Sequence, residues 1–278
     1  MSILNPMVNW RASRELADLL TRHRQLTIEM TRRELTERFA GHVVGAFWTI
    51  GHPIITFLVY LFLFGVIFQQ KVESGGLSLP LDFSVYLLAG LVPWLMLTDV
   101  MAKSTSVIIG NANLVKQVVF PIEVLPVKIV LAALLTQCIF FAALSIYVLI
   151  RFHGLPLTML LLPVVIFMQV IAATGLAFAL SSLACYLRDL REFIVVFCTI
   201  NIYLMPVVFQ PDMVPPKFQP FLYANPFSYM IWCFQDVVFF GRFEHPWAWV
   251  VFPILSVSCL AAGYRLFRKL KGSFGNVL

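Results

Sequence analysis

The most distinctive group of charged residues in the sequence is a short joint between two long apolar runs. Arg188, Asp189, Arg191 and Glu192 fall within five positions. Arg188 and Glu192 stand four residues apart, a spacing that favours an ion pair across one helical turn. The arginines alone would suit a turn on the cytoplasmic side of a membrane, but that role does not require the two acids. We therefore interpret the joint as a rigid contact surface for another protein, with a plain membrane turn as the alternative.

Residues with the spacing of an active site are not found elsewhere. The five histidines form neither an H-E-x-x-H motif nor a cluster, and Ser181-Ser182 have no histidine and acid close by. The five cysteines lie singly in apolar segments, which indicates small buried residues, with no disulfide frame and no metal site. No G-x-x-x-x-G-K-[ST] motif occurs, so this chain does not bind ATP through a P-loop. We expect no catalytic residue, metal or cofactor in this chain.

The composition is that of a polytopic membrane protein. Charged residues make up 12% of the 278 residues and hydrophobic residues 60%, whereas soluble domains carry about 25% charged residues. The net charge of +6 could suggest nucleic-acid binding, but the basic residues flank apolar segments, where Lys and Arg set membrane topology. Residues 1–49 are polar and arginine-rich, so we expect no cleavable signal and a first span that directs insertion.

Six apolar segments can cross a membrane, which takes about 20 residues in a helix. They cover residues 50–68, 83–102, 129–150, 163–185, 193–208 and 247–264. A further uncharged run contains Pro220 and Pro226, and we predict a re-entrant helical hairpin over residues 211–240, packed inside protein. With six spans, 16 of the 20 Lys and Arg residues are cytoplasmic; with seven, 13 are. The positive-inside rule favours six spans, with both termini in the cytoplasm.

The predicted fold is thus an all-α polytopic membrane protein in three parts. Residues 1–49 form a cytoplasmic N-terminal region, residues 50–268 the six-helix transmembrane domain, and residues 269–278 a cytoplasmic tail. Within residues 29–41, Thr31 and Glu34 match a capping box and a four-residue repeat of Thr31, Leu35 and Phe39 lies opposite arginines. This pattern predicts an amphipathic helix on the membrane interface, with a solvated helix as the alternative.

The loop after the second span holds a second contact element. Residues 111–119 can form a short helix that Pro121 ends, and its mixture of Leu, Val and Lys suits docking on another protein. Asp99 and Lys103, four residues apart at the end of the second span, predict a local ion pair. Apart from Asp99 the spans contain no ionisable Asp, Glu, Lys or Arg, which disfavours an ion-coupled transporter.

Aromatic residues are abundant, with 26 Phe, 8 Tyr and 6 Trp. Lipid contact and interface belts explain most of them, but flat rings can also stack on sugars. The candidates for lining a path are Phe57, Tyr60 and Phe64 on one stripe of the first span, with Phe197 and Tyr203 in the fifth.

Four motifs follow one another around these spans: "RELTERFAGHVVGAFWTIGHPI", "LVKQVVFPIEVLPV", "LRDLREF" and "YANPFSYMI". In this order the sequence resembles the permease subunit of polysaccharide-exporting type-2 ABC transporters, which export O-antigen, capsule or teichoic acid chains. The resemblance covers about residues 29–268. The chain differs from the family pattern at Ile122, where a basic residue often follows "FP", and at Asp236, where another basic residue is common.

The resemblance implies a homodimer that works with two copies of a nucleotide-binding ATPase, which binds ATP and Mg²⁺. It implies that the basic N-terminal helix gates the entry of a lipid-linked glycan, a role that falls on Arg32, Arg33, Arg38 and Phe39. It implies contact with the ATPase through the loop at about residues 111–120 and through residues 187–193. The coupling candidates are Asn113, Leu114, Lys116, Gln117, Arg188, Asp189, Arg191 and Glu192.

The leading hypothesis is ATP-driven export of a lipid-linked polysaccharide, with O-antigen as the expected substrate, across the bacterial inner membrane. Three alternatives stay open from the residues alone: an exporter of a drug or lipid with the same fold, a membrane-embedded acyl- or glycosyltransferase, and a passive channel.

Overall fold

A computed structural model describes residue 18 and residues 21–37, 47–67, 81–116 and 120–277. These residues are helical or irregular, and the described part of the chain contains no strand. The helices are α1 Arg24–Glu37, α2 Trp48–Phe62, α3 Phe83–Gly110, α4 Ala112–Val115, α5 Val124–Phe152, α6 Leu162–Ala184, α7 Leu190–Asn201, α8 Gln219–Ala224, α9 Pro226–Gln235, α10 Ala248–Lys271 and α11 Phe274–Val277.

Five helices are long and apolar enough to cross a membrane. They are α2 with its π-helical continuation (Ile50–Ile67), α3, α5, α6 with the 3-10 turn before it (Leu157–Ala184), and α10. They match the first, second, third, fourth and last predicted spans. α3 and α5 contain 28 and 29 residues, and at about 1.5 Å per residue they exceed the roughly 30 Å hydrocarbon core. Their ends can therefore project beyond it.

The fifth predicted span, residues 193–208, is shorter in the structure than expected. α7 has 12 residues and continues only through the 3-10 turn Ile202–Leu204. Helical geometry then ends ahead of Pro206. Proline has no amide hydrogen to donate within a helix, and its ring clashes with the preceding turn. At about 1.5 Å per residue α7 spans only ~18 Å. The described residues therefore contain five helices of membrane-spanning length, not the six predicted.

The predicted hairpin region contains two short helices. α8 has 6 residues and α9 has 10, and Asn225 lies between them with its side-chain oxygen accepting from the amide of Phe227. α9 continues as a π-helical turn over Asp236–Phe240 and ends at Gly241, whose φ is +64°. Residues 230–239 are buried against other helices, whereas only Leu222 and Ser228 are buried among residues 211–229. Packing inside protein, which is predicted for all of residues 211–240, therefore holds for the second half of this region.

α3 is the most enclosed of the long helices, and polar side chains tie its neighbours to it. Gln169 of α6 accepts a hydrogen bond from Gln137 of α5 at 2.7 Å. It donates in turn to the carbonyl of Pro93 in α3 at 2.9 Å. A buried amide that finds partners on two helices avoids the cost of desolvation without a hydrogen bond, so this network fixes how three helices meet.

α6 and α10 pack in parallel at close range. Gly175 lies against Gly263 so closely that a Cβ on Gly263 would come within 2.0 Å of the Gly175 carbonyl oxygen. On either side of this crossing, the Cys259 thiol donates to the carbonyl of Ala172 at 3.5 Å, and the Phe178 and Phe267 rings are 5.0 Å apart. Contacts that advance together along both helices mean that the two helices run in the same direction.

Candidate coupling face and gate

One end of the helix bundle brings together most of the segments predicted to be cytoplasmic. A buried apolar group at this end is here called the end cluster. It contains residues from the last turns of α3, α6 and α10, from the start of α5 and the loop before it, and from α11. Its members are Val107, Ile108, Val115, Ile122, Leu125, Val127, Ile129, Phe178, Cys185, Tyr264, Phe267 and Phe274. Met30 of α1 packs against it. The gate and coupling candidates near these segments therefore share one end of the molecule.

The N-terminal helix α1 is held to the bundle by a largely buried ion pair. Glu34 lies 3.1 Å from Lys128 of α5, and their side chains are 18% and 7% exposed. Thr27 and Thr31 are buried on the same side of the helix. Lys128 therefore does more than set topology, the only role that the charge count predicts for it. Its partner lies 94 positions earlier in the chain, a separation at which no sequence pattern indicates a contact.

The predicted capping box is wrong. α1 already begins at Arg24, so Thr31 lies within the helix and its hydroxyl donates to the carbonyl of Thr27 at 2.7 Å. Glu34 does not reach back to an N-terminal amide because it pairs with Lys128. The S/T-x-x-E pattern here serves packing on α5.

The gate candidates lie partly on the exposed side of α1. Arg32 and Arg33 are exposed, while Arg38 and Phe39 lie outside the described residues. Arg33 forms an ion pair with Glu37 at 2.6 Å, and the hydrogen bond to that carboxylate raises the pKa of the guanidinium above its ordinary value. Two cations are thus displayed beside the membrane-spanning bundle.

The loop helix is shorter than predicted. α4 covers four residues, Ala112–Val115, within the predicted range of residues 111–119. Asn113 and Lys116 are exposed, Leu114 is half-buried, and Gln117 lies outside the described residues. Val115 enters the end cluster, so one side of α4 is anchored and the other is open to a partner.

The loop that follows α4 is tied to the C-terminal end of α10. Glu123, which is buried, accepts from Lys271 Nζ at 2.7 Å. Ile122, one of the two positions where the family pattern differs, is buried in the end cluster. An apolar residue suits this position because it faces the interior.

The four charges of the joint are all exposed in the structure. α6 ends at Ala184 and α7 begins at Leu190, so Arg188 precedes the helix. The predicted ion pair between Arg188 and Glu192, both of which the structure describes, is therefore absent. Glu192 stands in the first turn of α7, where a carboxylate interacts favourably with the helix dipole. The joint presents mixed charges to the surroundings at the same end as α4.

The path candidates are distributed over three environments. Phe57 is 4% exposed and belongs to the main core, whereas Tyr60, Phe64 and Phe197 are partly buried against it. Tyr203 is 68% exposed. The residues surrounding these candidates on α2 and α7 form broad exposed apolar faces, whose members include Ile54, Leu58, Phe62, Phe193, Val196 and Ile200.

A polar cluster that the sequence patterns do not predict lies at the opposite end. Asp236, 1% exposed, accepts from the backbone amide of His245 at 3.1 Å and from the Trp249 indole at 3.0 Å. The His245 ring nitrogen lies 2.9 Å from the same carboxylate, and the ring stacks on Trp232 at 5.2 Å. Nothing in the spacing of Asp236 and His245 signals this contact, which ties α9 to the start of α10.

Comparison with known proteins identifies the family. A family model described as ABC-2 type transporter matches residues 25–239. The chain belongs to the ABC-2 type transporter family. The match spans α1 to the end of the hairpin and confirms the resemblance found in the four motifs. This ABC-2 chain is a multi-pass membrane protein and a transport component, and its family implies pairing with an ATP-binding subunit.

Curated relatives of this ABC-2 chain are similar over nearly their whole length. Two are O-antigen export system permease proteins RfbA of Klebsiella pneumoniae, 24% identical over 257 residues and 25% identical over 260 residues. Each alignment covers 91% of this chain and 95% of the relative. A third, the O-antigen export system permease protein RfbA of Myxococcus xanthus, is 25% identical, covering 92% and 96%.

Proposed function

We propose that this chain is the membrane subunit of an ATP-driven exporter that moves a lipid-linked polysaccharide, of the O-antigen class, out of the cytoplasm across the bacterial inner membrane. The observation that carries the proposal is the similarity, over more than nine-tenths of the chain, to three O-antigen export permeases. The substrate is taken from those relatives' names, and its attachment to a lipid carrier from the family resemblance.

The coupling end supports the ATP-driven part of the proposal. The sequence contains no P-loop, so the energy must come from another chain, which would bind ATP and Mg²⁺. α4 and the charged joint of residues 188–192 are small, exposed and at one end of the bundle, which suits docking onto such a partner. Closure of two ATPase copies would then press on both elements, and the end cluster and the Glu34–Lys128 pair would pass the movement to α1.

The exposed apolar faces of α2 and α7 support a homodimer with a path between the two copies. These helices have little of their surface covered within one chain, whereas α3 is largely enclosed.

The parallel packing of α6 and α10 supports six crossings. The chain must change sides an odd number of times between these helices. α7 alone spans only ~18 Å, so this crossing would need α7 together with the chain that continues it to residue 208, and the hairpin would return to its own side. Both termini would then lie in the cytoplasm.

Deletion of the gene tests the proposal. We expect loss of surface polysaccharide together with accumulation of lipid-linked glycan in the cytoplasmic leaflet, and restoration of both by the intact chain. A P-loop ATPase should co-purify with the chain from native membranes. Normal surface glycan in the deletion strain, or accumulation of a drug or another lipid in place of the glycan, would exclude a role in polysaccharide export. Glycosyl or acyl transfer by the purified chain alone would point to a transferase.

A further inference from the structure

An apolar cavity of about 380 Å³ lies where α3, α6, α9 and α10 meet. Leu97 of α3, Ala172 and Leu176 of α6, Phe227 of α9, and Phe252 and Cys259 of α10 contribute to its wall. The cavity is not enclosed, because its wall includes Ser258, which is exposed on the outer surface of α10. Neither the family match nor the relatives assign anything to this place.

The cavity lies at the level of the bilayer centre. Ala172 is close to the middle of the 23-residue helix α6, and Cys259 is close to the middle of the 24-residue helix α10. The neighbours of Ser258 on the same helix include Ile254 and Val257, which are exposed apolar residues. The mouth therefore opens into hydrocarbon, where an apolar occupant enters from the surrounding medium and water does not.

The wall chemistry selects an occupant without polar groups. The wall is formed almost entirely of carbon atoms, and its buried hydroxyl, that of Ser256, already donates to the carbonyl of Phe252 at 2.8 Å. A head group placed here would lose its hydration and find no hydrogen-bonding partner in return. A hydrocarbon chain instead gains dispersion contacts with a wall that would otherwise face a void.

The size of the cavity matches one acyl chain. An apolar protein cavity of about 150 Å³ accommodates a benzene ring of six carbons. At that ratio 380 Å³ holds about fifteen carbons, which is the length of one phospholipid acyl chain and much less than a long polyprenyl carrier.

We propose that this cavity is an acyl-chain site for a membrane phospholipid, wedged between the tip of the hairpin and helix α10. The first residues of α9, Pro226 and Phe227, form one side of the wall, so a bound chain supports the hairpin where α8 turns into α9. The wall is formed by α3, α6, α9 and α10, and the proposal does not depend on the identity of the exported substrate.

Photo-crosslinking tests the site. The full chain is reconstituted in vesicles of phosphatidylethanolamine and phosphatidylglycerol with a trace of phosphatidylethanolamine that carries a diazirine in mid-acyl chain. After irradiation we expect adducts concentrated on residues 172–176 and 252–259. Ala172→Leu fills the cavity and should lower that yield at least about threefold, because added methyl groups in a packed wall exclude a guest. Ala179→Leu, at a half-buried position of the same helix outside the wall, should leave the yield unchanged.

A second measurement covers the case in which Ala172→Leu does not fold. Ser258→Phe obstructs the mouth from an exposed position and should produce the same loss. In detergent, added phosphatidylglycerol should raise the melting temperature of the unmodified chain, because a ligand that binds only the folded state stabilises it. Filled variants should not respond. Adducts spread evenly over all lipid-facing helices, labelling by a polyprenyl phosphate probe alone, or crosslinks to a second copy would each overturn the assignment.

Discussion

Lys128 anchors the N-terminal helix to the transmembrane bundle. Its ammonium group is almost fully buried and lies 3.1 Å from Glu34, so removal of either partner leaves a charge without compensation in a site of low exposure. By contrast, Arg33 and Glu37 form a pair on the exposed side of the same helix, where their side chains are 68% and 53% exposed. These two pairs on one helix allow a matched comparison.

We predict that Lys128→Met lowers the free energy of unfolding by ~1–3 kcal/mol and frees α1 from the bundle. Local detachment should appear as faster trypsin cleavage at Arg32 and Arg33, since protease attacks segments that open locally. Glu37→Gln, the control, removes an exposed pair worth only about 0.3–0.5 kcal/mol. The exchange Glu34→Lys with Lys128→Glu should restore protection. Equal cleavage of the Lys128→Met and Glu37→Gln variants would mean that the buried pair does not hold α1.

Contacts between residues near one another in the sequence are the ones that spacing can predict. The Asp99–Lys103 pair, four positions apart on α3, follows from the spacing and is confirmed at 2.6 Å. The contact between Asp236 and His245, and the one between Glu34 and Lys128, depend on how separate helices pack. No spacing rule reaches across such a gap, so the sequence alone assigns Lys128 only a topological role.

At the scale of elements, the crossing of α6 and α10 brings two helix backbones into direct contact. A Cβ at position 175 would lie 2.4 Å from the backbone carbon of Cys259, and a Cβ at position 263 would collide with the carbonyl of Gly175. Small residues allow helices to approach in this way in membranes, where packing replaces the hydrophobic effect as the driving force. The two backbones leave no flexible side chain that could move aside.

We predict that Gly175→Ala or Gly263→Ala separates the two helices and lowers stability by ~1–3 kcal/mol or more, measured as a fall in melting temperature in detergent. Gly110→Ala is the matched control, because a Cβ there meets nothing within 4 Å. Alanine is also the better helix former, so this variant should melt at the same or a slightly higher temperature. A melting temperature for Gly175→Ala equal to that of the control would contradict the close approach.

The long spans could be predicted because composition and length determine them. Five of the six predicted segments contain helices of spanning length. The helix in the fifth segment, residues 193–208, is shorter because helical geometry ends ahead of Pro206. The apolar run itself does not stop there, so hydropathy alone extends the span to residue 208. The Gly175–Gly263 crossing could not be predicted, since glycines in an apolar run do not show which helix they face.

At the scale of the whole molecule, the end cluster connects the two candidate coupling elements with α1. α4 is anchored through Val115, the joint follows Cys185, and Met30 of α1 packs on the same group. Because protein interiors are close-packed and transmit strain, we expect force on either exposed element to reach α1 through this group. The charge count predicts that these segments share one side, but not that one apolar cluster joins them.

We predict that Asp189→Arg uncouples the proposed ATPase from transport. The charge reversal opposes a partner surface that fits the mixed charges of the joint, and like charges brought together at an interface cost several kcal/mol. In membranes with the co-purified ATPase, ATP hydrolysis should lose its dependence on this chain and surface glycan should fall, while the amount of inserted chain stays the same.

The control for this reversal is Lys217→Glu, which inverts an exposed charge in the segment between α7 and α8. That segment lies on the other side of the membrane in the proposed topology, away from any ATPase, so the variant should export normally. Unchanged export by Asp189→Arg would reduce the joint to a membrane turn. Loss of insertion in both variants would show that the charges act on topology before any partner binds.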